Sequence, residues 1–154
     1  MYIQSRFTKS GSDWINRMSL FNRGLLVTYN LCDNLSWNKD EMTLYEIQKI
    51  NKRFIRRLEK KCHVHQKNRL ERFLVIETDK PRNHVHMITE TPIHISKEQM
   101  MINIWSSLKQ TKGFGKEDIR EVRYKTGIVE YCCKELRPNK NSIDWENSWF
   151  RDRG

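Results

Sequence analysis

The stretch "RLERFLVIETDKPRNHVHMITE", Arg69–Glu90, decides how this chain folds. Its halves are rich in branched apolar residues, and the intervening "KPRN" places Pro81 and Asn83 in turn-forming positions. The first half reads as a strand ending at Asp79, the second as an alternating strand over His84–Glu90, and together they predict a hairpin. Side chains at i and i+2 of a strand leave the same face, so His84 and His86 project together, roughly 6–7 Å apart. Val85 and Met87 then turn the other way, into a core. Glu77 shares a face with Val75, opposite Leu74 and Ile76, and stands just across the turn from the histidines. Two imidazoles and one carboxylate form a facial ligand set with coordination positions left open, and the oxygen suits a hard ion such as Mg²⁺ or Mn²⁺.

A second His-Val-His triplet, in "CHVHQKNR" from Cys62, lacks this context. It follows a basic helix end, runs into polar residues and has no carboxylate on a partner strand. Its expected place is an exposed loop or helix terminus; the alternative is a structural zinc site of Cys62, His63 and His65, which lacks an evident fourth ligand.

Outward from the hairpin, "RGLLVTYNLC" (Arg23–Cys32) reads as a mostly buried strand. Thr43 and Glu46 form a capping box for a helix to about Lys61. Leu44, Ile47, Ile50 or Asn51, Phe54, Ile55 and Leu58 lie on its apolar face. Its other face carries Lys49, Lys52, Arg53, Arg56, Arg57 and Lys60. Ser96 and Gln99 open a further helix to Lys109, with Met100, Met101, Ile104, Trp105 and Leu108 inward. "DIREVRYK" (Asp118–Lys125) reads as a strand and "TGIVEYCCKEL" as a helix ending before Pro138. The order predicts an α+β domain: a central, mostly antiparallel sheet of about five strands flanked by helices. Residues 1–22 read as an N-terminal arm, 23–137 as the domain and 138–154 as a C-terminal tail.

Across 154 residues, 29 Lys and Arg face 19 Asp and Glu, a formal net charge of +10. That excess points to a polyanion, nucleic acid ahead of an anionic membrane surface. The apolar runs "GLLV" and "FLVI" are too short for a membrane span. The start of the chain lacks a secretory apolar core, and Cys32, Cys62, Cys132 and Cys133 have no framework spacing. Reduced thiols and an intracellular setting are expected.

On a helix, "EYCCKEL" places Tyr131 and Lys134 about 60° apart, outside the arc of Ile128, Val129, Cys132, Cys133 and Leu136. A phenol, with a pKa near 10, is a poor nucleophile at neutral pH; a neighbouring ammonium favours the phenolate.

Taken together, "HVH" at His84–His86, the upstream Glu77 and "YCCK" at Tyr131–Lys134 resemble the HUH endonucleases, specifically the rolling-circle replication initiator (Rep) group. "LLVTYN" (Leu25–Asn30) is a loose counterpart of that family's first motif. The resemblance spans roughly Arg23 to Arg137, rests on the order of three elements, and departs from the family's pattern in the paired cysteines between Tyr and Lys. It implies a five-stranded sheet of the HUH endonuclease or RRM-like kind. It further implies site-specific nicking of one DNA strand, with Mg²⁺ or Mn²⁺ held by Glu77, His84 and His86. Tyr131 would attack to form a 5′-phosphotyrosine, with Lys134 assisting. DNA contacts are expected from Arg23, Thr28, Tyr29 and Asn30, from Lys49, Lys52, Arg53, Arg56 and Arg57, and from Arg120 and Arg123. The expected partners are single-stranded DNA or an origin hairpin, with a separate helicase and polymerase, no membrane and no small-molecule cofactor. The expected setting is bacterial cytoplasm, with a viral or plasmid origin as the source. A relaxase or single-tyrosine transposase would share the chemistry. A non-catalytic RRM-like module would instead stack bases on exposed aromatics such as Phe73 and Tyr29.

Overall fold

The computed structural model describes residues 24–31, 43–65, 68–77, 83–112, 117–121 and 141–149. Strand β1 (Leu25–Asn30) leads to helix α1 (Leu44–Lys61), the hairpin strands β2 (Arg72–Glu77) and β3 (His84–Thr89), helix α2 (Lys97–Lys112), and strands β4 (Glu117–Glu121) and β5 (Asn141–Ile143). The α+β class expected from the sequence holds. The sheet runs β4-β1-β3-β2-β5 with every adjacent pair antiparallel. Since β1 and β2 both run against β3, they are parallel to each other, and α1 is the crossover between them. By the same logic β3 and β4 are parallel and α2 joins them. Two β-α-β units thus interleave, each strand of one inserted beside a strand of the other.

Strand alternation divides the sheet into two faces. Leu25, Val27, Tyr29, Leu74, Ile76, Val85 and Met87 form the first, buried in one cluster with Ile47, Phe54, Ile55 and Leu58 of α1 and Met100, Ile104 and Leu108 of α2. Each such fully buried aliphatic side chain contributes about 1.5–3 kcal/mol, so this cluster is the fold's main store of stability. Two expected core positions lie outside it: Leu44 is 46% and Trp105 49% exposed. Leu44 is the first residue of α1, before the helix has reached the sheet. Trp105 instead lays its ring under the Lys109 ammonium, 5.0 Å from the ring centroid. The second face changes character along its length. Leu26, Phe73, Val75 and Ile88 are buried at one end, whereas Thr28, Asn30, Glu77, His84 and His86, two or four residues further along their strands, are half-buried at the other.

Both ends of α1 are fastened. Thr43 Oγ1 accepts from the Glu46 amide at 3.2 Å while the Glu46 carboxylate accepts from the Thr43 amide at 3.3 Å, so the expected capping box is formed. At the other end Cys62 caps the helix and His63 takes a left-handed backbone, φ 54°. The His63 amide bonds Lys60 O and the Val64 amide bonds Glu59 O, a Schellman arrangement with histidine where glycine is usual. The Cys62 thiol is fully buried against Met100 Sδ, at 3.5 Å, whereas His63 and His65 are exposed. The second triplet is therefore a helix terminus, and its cysteine and histidines share no site.

Within residues 141–149, expected as part of a tail, Asn141–Ile143 joins the sheet as β5 and Trp149 bridges to Arg72. β5 pairs with β2, and Arg72 and Trp149 exchange backbone hydrogen bonds. The buried Asp144 carboxylate accepts from Asn51 Nδ2 (2.9 Å), Asn147 Nδ2 (2.8 Å), the Asn147 amide (3.2 Å) and Gln48 Nε2 (3.4 Å). The Tyr29 hydroxyl donates to Asn51 Oδ1, so β1, α1 and the C-terminal segment are joined through one chain of polar side chains. This chain explains why Asn51 occupies the apolar face of α1: a lone buried amide would cost free energy, and this one is satisfied on both sides. Next to it, Glu59 accepts from Arg69, from Arg72 and from the Leu70 amide, tying α1 to the start of β2. Among the described residues, no helix is long and apolar enough to cross a membrane.

Candidate functional site

The polar end of the second sheet face gathers the residues that the sequence singles out. The hairpin register sets Glu77 directly opposite His84 and Val75 opposite His86. On the other side of β3, Thr28 stands opposite His86 and Asn30 opposite His84. Positions paired across an antiparallel sheet share a face, so all of these except the apolar Val75 compose one polar patch. Within it the Glu77 carboxylate reaches diagonally to His86, with Oε2 2.9 Å from Nε2. Thr28 Oγ1 lies 3.0 Å from the other ring nitrogen, Nδ1. His86 and Glu77 are only 14% and 20% exposed at their side chains, so water competes weakly for that bond.

These two contacts fix the imidazole plane and restrict its protons. With Nε2–H donated to the carboxylate, a neutral His86 accepts the Thr28 hydroxyl at Nδ1. With a cation at Nε2 the roles reverse, and Nδ1–H donates to Thr28 Oγ1. Thr28, expected among the DNA contacts, thus spends its hydroxyl on orienting a histidine. The sequence holds a signal for this, since Thr28 has the parity that places it on the histidine face once β1 and β3 are neighbours.

The donor set, one carboxylate and two imidazoles on one face, suits a divalent ion in its chemistry. As arranged, the Glu77 oxygen occupies the side of His86 Nε2 where an ion would bind, and among the described residues no three His, Cys, Asp or Glu side chains converge on a point able to hold a metal.

Tyr29, expected at the DNA, is fully buried on the helix-bearing face. Its ring packs edge-on against Phe54 at 5.3 Å, and burial, then the Asp144 carboxylate, drives its pKa well above the ordinary phenol value. Phe73 is likewise buried, with Trp145 edge-on at 6.3 Å, so neither aromatic presents a ring to a base. Lys49, Lys52, Arg53, Arg56 and Arg57 are all exposed on α1, but α1 covers the opposite face from His84 and His86. Two of them have structural partners: Lys49 Nζ lies 4.5 Å from the Tyr45 ring centroid, and Arg57 Nη1 donates to Gln110 O and Thr111 Oγ1 at the end of α2. Arg120 stands in β4 opposite Leu26. Arg23, Arg123, Tyr131, Lys134 and the helix expected around them, with Tyr124, lie outside the described residues. No protein-family model, curated protein or solved structure matches this chain.

Proposed function

We propose that this chain is a metal-dependent DNA nickase and strand transferase of the HUH kind, acting on single-stranded DNA or an origin hairpin to start rolling-circle replication. The observation that carries the reading is the grouping on one sheet face of Glu77, His84 and His86, with Glu77 hydrogen-bonded to the His86 nitrogen that would face a ligand. The interleaved β-α-β order supports the same class of fold.

In this reading Glu77, His84 and His86 would hold Mg²⁺ or Mn²⁺, and the ion would supply Lewis-acid polarisation of the scissile phosphate. To serve as a ligand Glu77 would have to leave its hydrogen bond with His86, and Thr28 would keep the imidazole aimed by accepting Nδ1–H. The Tyr131 phenol gives its proton to solvent and its Oη bonds to phosphorus as the bond to the 3′ oxygen breaks, and the leaving oxygen takes a proton from solvent. The cut strand then carries a 3′-hydroxyl on one fragment and a 5′-phosphotyrosine on the other. Lys134 favours the phenolate and balances phosphate charge. The phosphodiester bond energy is retained, so the reverse step rejoins ends.

The test is incubation of the whole chain with labelled single-stranded oligonucleotides and Mn²⁺, resolved on a denaturing gel. A covalent adduct is expected, lost with EDTA, in Tyr131→Phe and in His86→Ala. Thr28→Val should weaken Mn²⁺ binding roughly 10–100-fold, the usual scale for a partner that orients a ligand. Salt-sensitive binding with no adduct on any oligonucleotide would overturn the nickase in favour of a binding module.

A further inference from the structure

On the helix-bearing side, α1, the segment after it and the C-terminal turn enclose a groove of about 740 Å³. Lys52, Arg56, Lys60, His65 and Arg69 line it, with Glu59 and Glu146. Lys52, Arg56 and Lys60 are four residues apart, so they form one stripe along the helix with about 6 Å between successive turns. Neighbouring phosphates along a nucleic-acid strand are separated by a similar distance.

The electrostatics of the groove are one-sided. Glu59 is already engaged by Arg69, by the buried Arg72 and by the Leu70 amide, so its charge is not available to the stripe. That leaves Glu146 as the groove's other carboxylate. Like charges at i and i+4 oppose helix formation by a few tenths of a kcal/mol per pair. The neighbouring Lys49 and Arg57 have a ring and a helix terminus to bind; for the stripe, no described residue offers an ion pair. Three cations in a row with no ion-pair partner among the described residues, beside a concavity, match a linear polyanion better than an isolated ion.

We infer that this groove is a second phosphate-backbone site, which grips nucleic acid on the side of the sheet away from Glu77 and His86. It does not depend on nicking. A strand seated at the histidine face cannot also lie in the groove without passing around the sheet edge, so the groove holds a separate segment of the same nucleic acid. Its contacts position that segment without reading sequence.

The experiment is fluorescence anisotropy of the full chain with a labelled hairpin duplex carrying a single-stranded extension, in EDTA and across 50–200 mM salt. Loss of the three phosphate contacts in Lys52→Gln/Arg56→Gln/Lys60→Gln should lower the slope of log affinity against log salt by about 2–3. It should also weaken binding at 50 mM salt at least tenfold. The control Lys97→Gln/Lys109→Gln/Lys112→Gln removes the same charge from α2 and should lower the slope by less than one. Thermal unfolding reports that both variants fold. Equal losses in the two variants, or an unchanged slope in the first, would overturn the groove, as would binding to anionic vesicles without binding to the hairpin. If the adduct described above never forms but the slope falls as expected, the groove stands and the nickase does not.

Discussion

Cys62 ends α1 with its thiol sealed against Met100 and Asn103. Burial pushes that thiol up to about 11, with Glu59 adding to the rise and the Asn103 amide opposing it. A group whose pKa is raised on folding stabilises the fold fully below its unfolded value and loses that contribution as pH climbs through the folded value. The window here runs from about 9, the ordinary thiol value, to about 11. Unfolding free energy measured by denaturant titration should fall across it, by at most about 2–3 kcal/mol at 1.36 kcal/mol per pH unit. Cys62→Ala should flatten that part of the profile, leaving the decline above pH 10 that belongs to Tyr29. A profile identical to the native one would show that the thiol does not report on folding. At this scale, residue type alone was a poor guide: Tyr29 and Phe73 are aromatic on strands, yet whether a ring meets solvent depends on which face the neighbouring strands bury.

Helix α1 could be read well before its structure because three separate signals agreed on it. Its capping box, its apolar period and its basic outer face all require a helix over the same residues. The hairpin was equally readable, since alternation and turn chemistry agreed on two strands on either side of one turn. What escaped was chemistry supplied from a distance. Asn51 looks out of place on an apolar face until Asp144 is folded against it, and β5, three residues long, has no period of its own. Trp105 shares α2 with enough apolar residues that more than one stripe could have faced inward. The C-terminus of α1 offers a direct test. A left-handed residue with a Cβ costs about 1–2 kcal/mol, part of which glycine returns through its greater unfolded-state freedom. His63→Gly should therefore stabilise the protein by about 0.5–1 kcal/mol in urea unfolding, and His63→Val should destabilise it.

Across the whole molecule, the sheet separates two surfaces: the half-buried Glu77–His86 patch on one side and the basic groove beside α1 on the other. The Asp144 cluster determines how firmly the C-terminal segment completes the second of these. Asp144→Ala would take the acceptor from the Asn51 side-chain amide and from the Asn147 backbone N–H, while Asn147 Nδ2 keeps Gln48 O, at about 1–3 kcal/mol for each buried group left unpaired. A loss of at least about 2 kcal/mol is expected, with hydrogen exchange accelerated first in residues 141–149. A loss confined to a few tenths would mean that water replaces the carboxylate and that the segment is held by its backbone pairing alone. The site itself was readable in part: the ligand types and their shared face follow from parity, but the diagonal Glu77–His86 contact and the Thr28 bond depend on side-chain rotation, which no pattern encodes.

The interleaved strand order also governs how the chain comes into being. Thr28 meets His86 across 58 residues of sequence, and β4 on the other flank is made later still. At a ribosomal pace of about 5–20 residues per second, β1 waits roughly 3–12 s for its first neighbour. During that wait it is an apolar segment with both edges bare, which is the condition under which strands stick to other chains. Nascent protein is therefore most exposed to aggregation before the hairpin emerges, and the stretch that needs shielding then is Leu25–Asn30.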